Sequence, residues 1–379
     1  MAIILDGNKI LVFELSSGIG DMIMAIPMLK LLHKKVPDAD ITFIVPFEGA
    51  RQLFETCPYI SRVIKIEREG HNLVKKNLKL LQRYRYDYEF DLCIITCITD
   101  YLPLGLDIAI SRSIKAKRRI GYSLPKTKFS FLPFQFMQFL LDGTIKVDFS
   151  KHYADLNVEL LKLVGIYPDD SIQTLELWFT DDDFTIADRF LVENNINSSD
   201  MLIGIHPGGR RLERRWPMEN FPTLIDSLQC IYSDAKFLIF GGPDEEELKH
   251  NVANLVKTTI PIIVTRMPIR SIAALIKRCN LFIGNDSSLT HIAAAVETPD
   301  VVIFGQANPL ATGPYSKKSI VVTRNIDCQP CCYNKTRLFT RLTCNRVHPY
   351  ECLTQLSVSE VLKAVKSLFS SLSQDITSG

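Results

Sequence analysis

Residues 9–45 read KILVFELSSGIGDMIMAIPMLKLLHKKVPDADITFIV, and this stretch decides the fold class. Lys9 to Leu15 is a short apolar run with the composition of a strand. A loop of serine and glycine follows, then a helical pattern from about Asp21 to Lys35 that Pro37 ends, then a second strand at Ile41 to Val45. Strand, helix and strand in succession make a βαβ unit, whose two strands lie parallel in one sheet.

Working outward, apolar runs at Val63 to Ile66 and Leu92 to Ile98 predict further strands, and a helical pattern covers His152 to Val164 and stops at Gly165. The second half restarts the same grammar. Strands are predicted at Leu202 to Ile205, Lys236 to Phe240, Pro261 to Val264, Leu281 to Ile283 and Val301 to Phe304. Helices fill the gaps at Met218 to Ile231, Asp244 to Leu255, Ile269 to Cys279 and Ser287 to Val296, and an amphipathic helix, Ser357 to Leu372, closes the chain. The segment Pro168 to Asp200, rich in Asp, Asn and Ser, is the best boundary. The expected organisation is a first α/β domain over 1–175, a second over 176–355, and a helix and tail over 356–379. Two such halves place ligands at the carboxyl ends of their sheets, in a cleft between them.

Composition limits the functional classes. Of 379 residues, 46% are hydrophobic and 23% charged, which is globular and not disordered. The formal net charge of +2 is too balanced for a general nucleic-acid binder, although basic residues cluster at Arg112 to Arg119 and Arg210 to Arg215. The longest apolar-rich stretch, Phe129 to Leu141, contains Pro133, Gln135 and Gln138 and is short of the about 20 apolar residues of a span. Asp6, Lys9 and Glu14 interrupt the N-terminal apolar run, so no secretory signal is read there. A cytoplasmic address is expected, with most of the ten cysteines reduced.

Three loops carry chemistry. The first is Ser16-Ser17-Gly18-Ile19-Gly20-Asp21, between a strand and a helix, where two glycines allow a tight turn and Asp21 stands at a helix start. Asp21 reads either as a helix cap or as a working carboxylate, and Ile23 removes the third glycine of a dinucleotide fingerprint. The second is His206-Pro207-Gly208-Gly209 with Arg210, Arg211, Arg214 and Arg215 before Trp216. Several guanidiniums on one loop suit a diphosphate; the other reading is a solvated basic loop. The third is Gly284-Asn285-Asp286-Ser287-Ser288-Leu289-Thr290-His291, which opens an alanine-rich helix whose N-terminus suits phosphate. His291 reads as a ligand or as a core histidine.

Taken in order, these motifs resemble glycosyltransferase family 9, the lipopolysaccharide heptosyltransferases. The resemblance runs through Gly18-x-Gly20-Asp21 with Pro27, Arg119-Ile120-Gly121, His206-Pro207-Gly208, Trp216-Pro217, Gly241-Gly242, Asn285 to Ala295, Phe304-Gly305 and Gly313-Pro314-Tyr315. It implies a GT-B fold, with an N-terminal Rossmann-like domain for the acceptor and a C-terminal one for ADP-heptose, facing a central cleft. It implies inverting transfer to a lipid A-linked core sugar without a required cofactor or catalytic metal. Asp21 matches the family's base, with Ser17, Gly18 and Gly20 as the acceptor-side loop. Arg214 matches a basic position that is usually lysine. His206, Gly208, Gly209, Arg210, Gly242, Asp286, Ser287, Ser288, Leu289 and His291 fall in the donor-binding set. Glu246, or its neighbour Glu245, falls where the family has an acid on the ribose. Ser288 stands where glycine is common, and Asp91 to Asp100 does not follow the usual acceptor-side segment.

Two further expectations attach to this resemblance. Cys328, Cys331, Cys344 and Cys352 could hold a structural zinc or iron, as in relatives that modify autotransporter proteins, or could be free thiols. Phe129 to Leu141, with Arg112, Lys115, Lys117, Arg118 and Arg119, could touch the inner membrane or pack within the first domain. The rival functions are a protein O-heptosyltransferase, a nucleotide-sugar epimerase on the same fold, and a non-catalytic nucleotide-sugar binder.

Overall fold

The computed structural model describes residues 8–14, 18–66, 89–96, 101–123, 137–168, 174–331, 344 and 346–378. They divide into two compact units between Thr174 and Leu175. The first unit carries β1 (Lys9–Phe13), β2 (Asp40–Val45), β3 (Arg62–Lys65), β4 (Phe90–Ile95), β5 (Ala116–Ser123) and β6 (Gly143–Lys146). They form a six-stranded sheet in the order β3-β2-β1-β4-β5-β6, with every pairing parallel. The second unit carries β7 (Leu202–His206), β8 (Lys236–Ile239), β9 (Ile262–Ile263), β10 (Leu281–Asn285), β11 (Asp300–Ile303) and β12 (Ser319–Val322). Its order, β9-β8-β7-β10-β11-β12, is the same pattern and is again all parallel. Two Rossmann-like units of this kind are the make-up of the GT-B fold.

Parallel strands are covered on both faces, so the central ones read as continuous apolar runs. Ile10, Leu11, Val12 and Phe13 of β1 are buried, as are all five residues of β10. The strands that sequence reading passed over lack this run. β5 begins Ala-Lys-Arg-Arg, β6 is a four-residue edge strand of alternating exposure, and β12 is short and only partly covered.

Two expected elements differ. The helix read over Asp21 to Lys35 is two helices, Ile19–Ile23 and Ile26–Lys35, with a break at Met24 and Ala25. Pro27 stands in the first turn of the second helix, where its missing N–H is harmless; in one continuous helix its ring would meet the carbonyl of Ile23. The acidic stretch read as a linker holds the helix Asp181–Glu193. Its aspartates are a helix start: Asp183 accepts from both the N–H and the hydroxyl of Thr180 at 2.8 Å, and from Arg270 Nε at 2.9 Å on the helix Ile269–Arg278.

The basic cluster at 112–119 is not one exposed face. Arg119 is buried and points its guanidinium at the carbonyls of Ser111, Ile114 and Ala116, closing the end of the helix Tyr101–Ser111. Lys117 pairs with Asp91 at 2.7 Å. Of the stretch Phe129 to Leu141, residues 129–136 lie outside the described residues; the turn Gln138–Leu140 that follows leaves Phe139 75% exposed. No helix among the described residues is long and apolar enough to cross a membrane.

The C-terminal helix Val358–Ser378 sets Val361, Val365 and Leu368 into the second unit's core beside Trp216 and Phe221. On the other face of that sheet, Gly204 in β7 lies under the edge-on pair Phe240 and Phe282. A Cβ there would stand 2.6 Å from Phe282 and 3.0 Å from Phe240. Gly204→Ala is therefore expected to cost about 1–3 kcal/mol of unfolding free energy through overpacking, read from urea titration. A stability equal to wild type would show that the rings have room to move aside.

Candidate functional site

In each sheet the chain order reverses between two central strands, and the loops that follow them diverge there, leaving a crevice at their carboxyl ends. In the second unit these strands are β7 and β10, paired with Gly284 beside His206. The loop after β7 and the turn after β8 meet at this point through a single carboxylate, and the helix after β10 joins them through His206. Glu245 Oε2 lies 3.2 Å from His206 Nε2 and accepts from Gly242 N at 2.8 Å. Its Oε1 accepts from Gly209 N at 2.6 Å and from Arg215 Nη2 at 3.2 Å. Burial pushes this carboxyl up, but the hydrogen bond and charge of His206 and the amides of Gly209 and Gly242 outweigh it and hold the group down at about 2.

The other ring nitrogen of His206 lies 3.0 Å from Ser287 Oγ. Ser287 is the N-cap of the helix Ser288–Ala295, and the first amides of a helix have no partner within it. Ser287, Ser288 and Leu289 are half-buried, and His291 is buried one turn further on. Asp286 is buried against Arg214, whose Nη1 is 2.9 Å from Asp286 Oδ2. Burial raises the Asp286 carboxyl above the ordinary range, opposed by Arg214 and then Arg211. Arg215 also donates from Nε to the carbonyl of Gly209 at 2.8 Å. Arg210 is exposed.

Both glycines of the first turn are dictated by this packing. A Cβ on Gly208 would fall 2.2 Å from Glu245 Oε1, and Gly209 has a φ of +140°, which L side chains rarely adopt. Asn285, fully buried, clamps both ends of the arginine loop: its Nδ2 donates to the carbonyls of Pro207 and Gly208 at 2.9 Å, and its Oδ1 accepts from Trp216 N at 3.0 Å.

The structure thus gathers His206, Gly208, Gly209, Gly242, Arg214, Asp286 and Ser287, with Ser288, Leu289 and His291 on the adjoining helix. It also brings in Glu245, the sequence's alternative to Glu246, together with Arg215 and Asn285 of the second and third loops. Glu246 stands apart, its side chain 50% exposed and held by Lys249 Nζ at 2.9 Å. Lys249 is itself buried and also donates to the carbonyl of Val264 at 2.8 Å, beyond β9. Besides the resemblance, the spacing to Gly242 favours Glu245, since an acid three residues into a turn can reach back to cap it.

In the first unit the reversal lies between β1 and β4. Gly18 is the N-cap of the helix Ile19–Ile23, Gly20 is buried within it, and Gly18 N–H donates to Asp21 Oδ2 at 2.8 Å. Asp21 does cap its helix, but it is half-buried, and a carboxylate accepts more than one hydrogen bond. Beside it, the hydroxyl of Thr96 at the end of β4 donates to the carboxylate of Glu14 at the end of β1, both side chains buried. Ser17 lies outside the described residues.

The four C-terminal cysteines are neighbours. Burial pushes the Cys352 thiol up to about 12, with Cys331, Cys328 and Cys344 adding to the rise. Among the described residues, however, no group of three or more His, Cys, Asp or Glu side chains is arranged to hold a metal ion.

Glu245 makes acid stability a direct test of the network. A carboxyl lowered from 4.5 to about 2 on folding stabilises the protein fully above pH 4.5 and loses that contribution as pH falls through about 2. Its share is on the order of 3 kcal/mol. Glu245→Gln should flatten the fall of unfolding free energy over that window. Parallel pH curves for variant and wild type would mean the carboxylate is not held as described.

The family model described as "Glycosyltransferase family 9 (heptosyltransferase)" matches residues 109–340. The lipopolysaccharide core heptosyltransferase OpsX of Haemophilus influenzae is 22% identical over 307 residues, covering 81% of this chain and 82% of its own. A family 9 glycosyltransferase of Veillonella parvula superposes with a TM-score of 0.78 at 26% identity, covering 97% of this chain and 98% of its own. The ADP-heptose lipopolysaccharide heptosyltransferase II of Escherichia coli does so with a TM-score of 0.70 at 18% identity, covering 97% and 100%.

Proposed function

Because the chain belongs to glycosyltransferase family 9, the heptosyltransferases, we propose that it transfers a heptose from ADP-heptose to a lipid A-linked sugar of a lipopolysaccharide core. The observation that carries the donor half is the β7–β10 crevice, where a helix N-terminus, Arg214 and Arg215 converge. A diphosphate carries negative charge throughout the reaction and more as it departs, so fixed donors there favour the transition state. Arg214 is aimed by Asp286, and Ser287 by His206. The acceptor half is supported by the similarity to a core heptosyltransferase over four-fifths of the chain. Membership of a transferase family sets aside the epimerase reading.

In this reading, the oxygen of an acceptor hydroxyl bonds to the anomeric carbon of the heptose. The bond from that carbon to the diphosphate oxygen breaks, and ADP departs with the electron pair. The hydroxyl proton passes to Asp21, because a sugar hydroxyl is a poor nucleophile until a base takes that proton. The guanidinium of Arg214 and the first turn of the helix Ser288–Ala295 meet the charge that ADP gains.

Two variants test the two halves. Asp21→Asn keeps an acceptor for the Gly18 N–H but has no basicity. Turnover of ADP-heptose with a truncated core acceptor should fall roughly 10²–10⁴-fold, with melting temperature and donor affinity little changed. Near-normal turnover would reduce Asp21 to a helix cap. Arg214→Ala should weaken ADP-heptose binding by about 1.5–3 kcal/mol in calorimetry. Unchanged affinity, or equal binding of GDP- and UDP-sugars by the wild type, would defeat the donor assignment.

A further inference from the structure

We propose that Gln306 is a sugar-side binding residue of the donor site, its carboxamide N–H donating to a hydroxyl of the transferred sugar. The inference rests on the donor reading given above and extends the site by one strand.

β11 lies beside β10, with Ile303 opposite Asn285, and Asp286 N donates to the carbonyl of Ile303 at 3.0 Å. The segment Phe304 to Asn308 therefore leaves the sheet next to Asp286 and Ser287. It is tightly held. Phe304 N donates to Val322 O at 3.0 Å, and Gln329 Nε2 donates to the carbonyls of Phe304 and Gly305. Cys331 N donates to the carbonyl of Gln306 at 3.0 Å, and Asn308 Oδ1 accepts from Leu310 N at 3.1 Å. Leu353 covers Gly305 so closely that a Cβ there would lie 2.8 Å from it.

Gln306 is 4% exposed, and its Nε2, like Oε1 of Gln329, has no hydrogen-bond partner in the protein. A buried amide nitrogen without a partner destabilises the fold, and an apolar side chain of similar size would avoid that cost. A tightly held segment that retains such a group next to Asp286 and Ser287 points to a partner that arrives with the ligand.

Strand order identifies which part of the ligand. From edge to edge the sheet runs β9-β8-β7-β10-β11-β12. The phosphate-directed groups stand at its middle, where β7 and β10 meet. Glu245, Glu246 and Lys249 follow β8 and Val264 follows β9, all on one side; Gln306 follows β11, on the other. A sugar nucleotide is linear, with nucleoside and sugar at opposite ends of the diphosphate. If the nucleoside lies over the β8–β9 side, the sugar lies toward β11, one strand spacing of about 4.8 Å away. The hydroxyls there are acceptors for an amide N–H, and no charge is needed.

Calorimetric titration of the full chain with ADP and with ADP-heptose separates the parts. For Gln306→Leu and Gln306→Met, ADP affinity should be unchanged, ADP-heptose should bind roughly 3- to 12-fold more weakly, and the melting temperature should hold or rise. Undiminished ADP-heptose affinity in the methionine variant would overturn the assignment. So would a parallel loss for ADP and ADP-heptose with a lowered melting temperature in both variants, which would make Gln306 a structural residue. A wild type that binds neither ligand would instead defeat the donor reading, and this inference with it.

Discussion

Glu245 is a carboxylate with almost no water around it, and its charge survives because donors surround it. Histidine, arginine and two backbone amides converge on its two oxygens from the loop after β7 and from its own turn. Burial alone raises it; these donors bring it down to about 2. Much else follows from keeping that charge. Position 208 has room only for glycine because the carboxylate lies where a Cβ would be. His206 is fixed at one ring nitrogen, so the other is presented to Ser287 at the start of the helix after β10. Arg215 is drawn inward to Glu245 and Gly209 O, while Arg214 turns to Asp286.

The same strand order in both units puts a crevice in the same place twice, with different residues at each. In the second, Arg214, Arg215 and a helix N-terminus line the reversal between β7 and β10. In the first, the carboxylates of Glu14 and Asp21 stand at the reversal between β1 and β4. In the proposed reaction the diphosphate lies at the former and the hydroxyl that loses a proton at the latter. One topology would then serve both halves of the proposed transfer, and the difference lies in the residues at the strand ends.

The second crevice is stiffened from behind. Asn285 holds both ends of the arginine loop, and Trp216, which closes that loop, donates from its indole to the carbonyl of Leu356 at 2.9 Å. Leu356 precedes the C-terminal helix whose apolar face joins the core. The loop that bears the cations is therefore tied to the last element of the chain, and an arginine on such a loop loses less freedom when it meets an anion.

The sequence by itself determined the architecture. Central parallel strands must be apolar on both faces, so β1, β2, β7 and β10 announced themselves, as did the glycine-rich turns that follow β1 and β7. The ordered motifs also located Asp21, Arg214 and Ser287 on the loops where they lie. Edge strands β6 and β12 escaped because half their surface faces water, and β5 escaped because its leading basic residues look like a surface patch although Arg119 turns inward. Asp181 to Asp183 has the composition of a linker because acidic residues favour both solvent and a helix's first turn. What only the tertiary structure decided is partnership. Glu245 and Glu246 are adjacent and chemically alike, yet one is buried under His206 and the other faces outward to Lys249, because successive residues at a helix start point in different directions. That Gln306 has a partnerless amide likewise depends on what Cys331, Gln329 and Leu353 occupy around it, and no local pattern of residues records that.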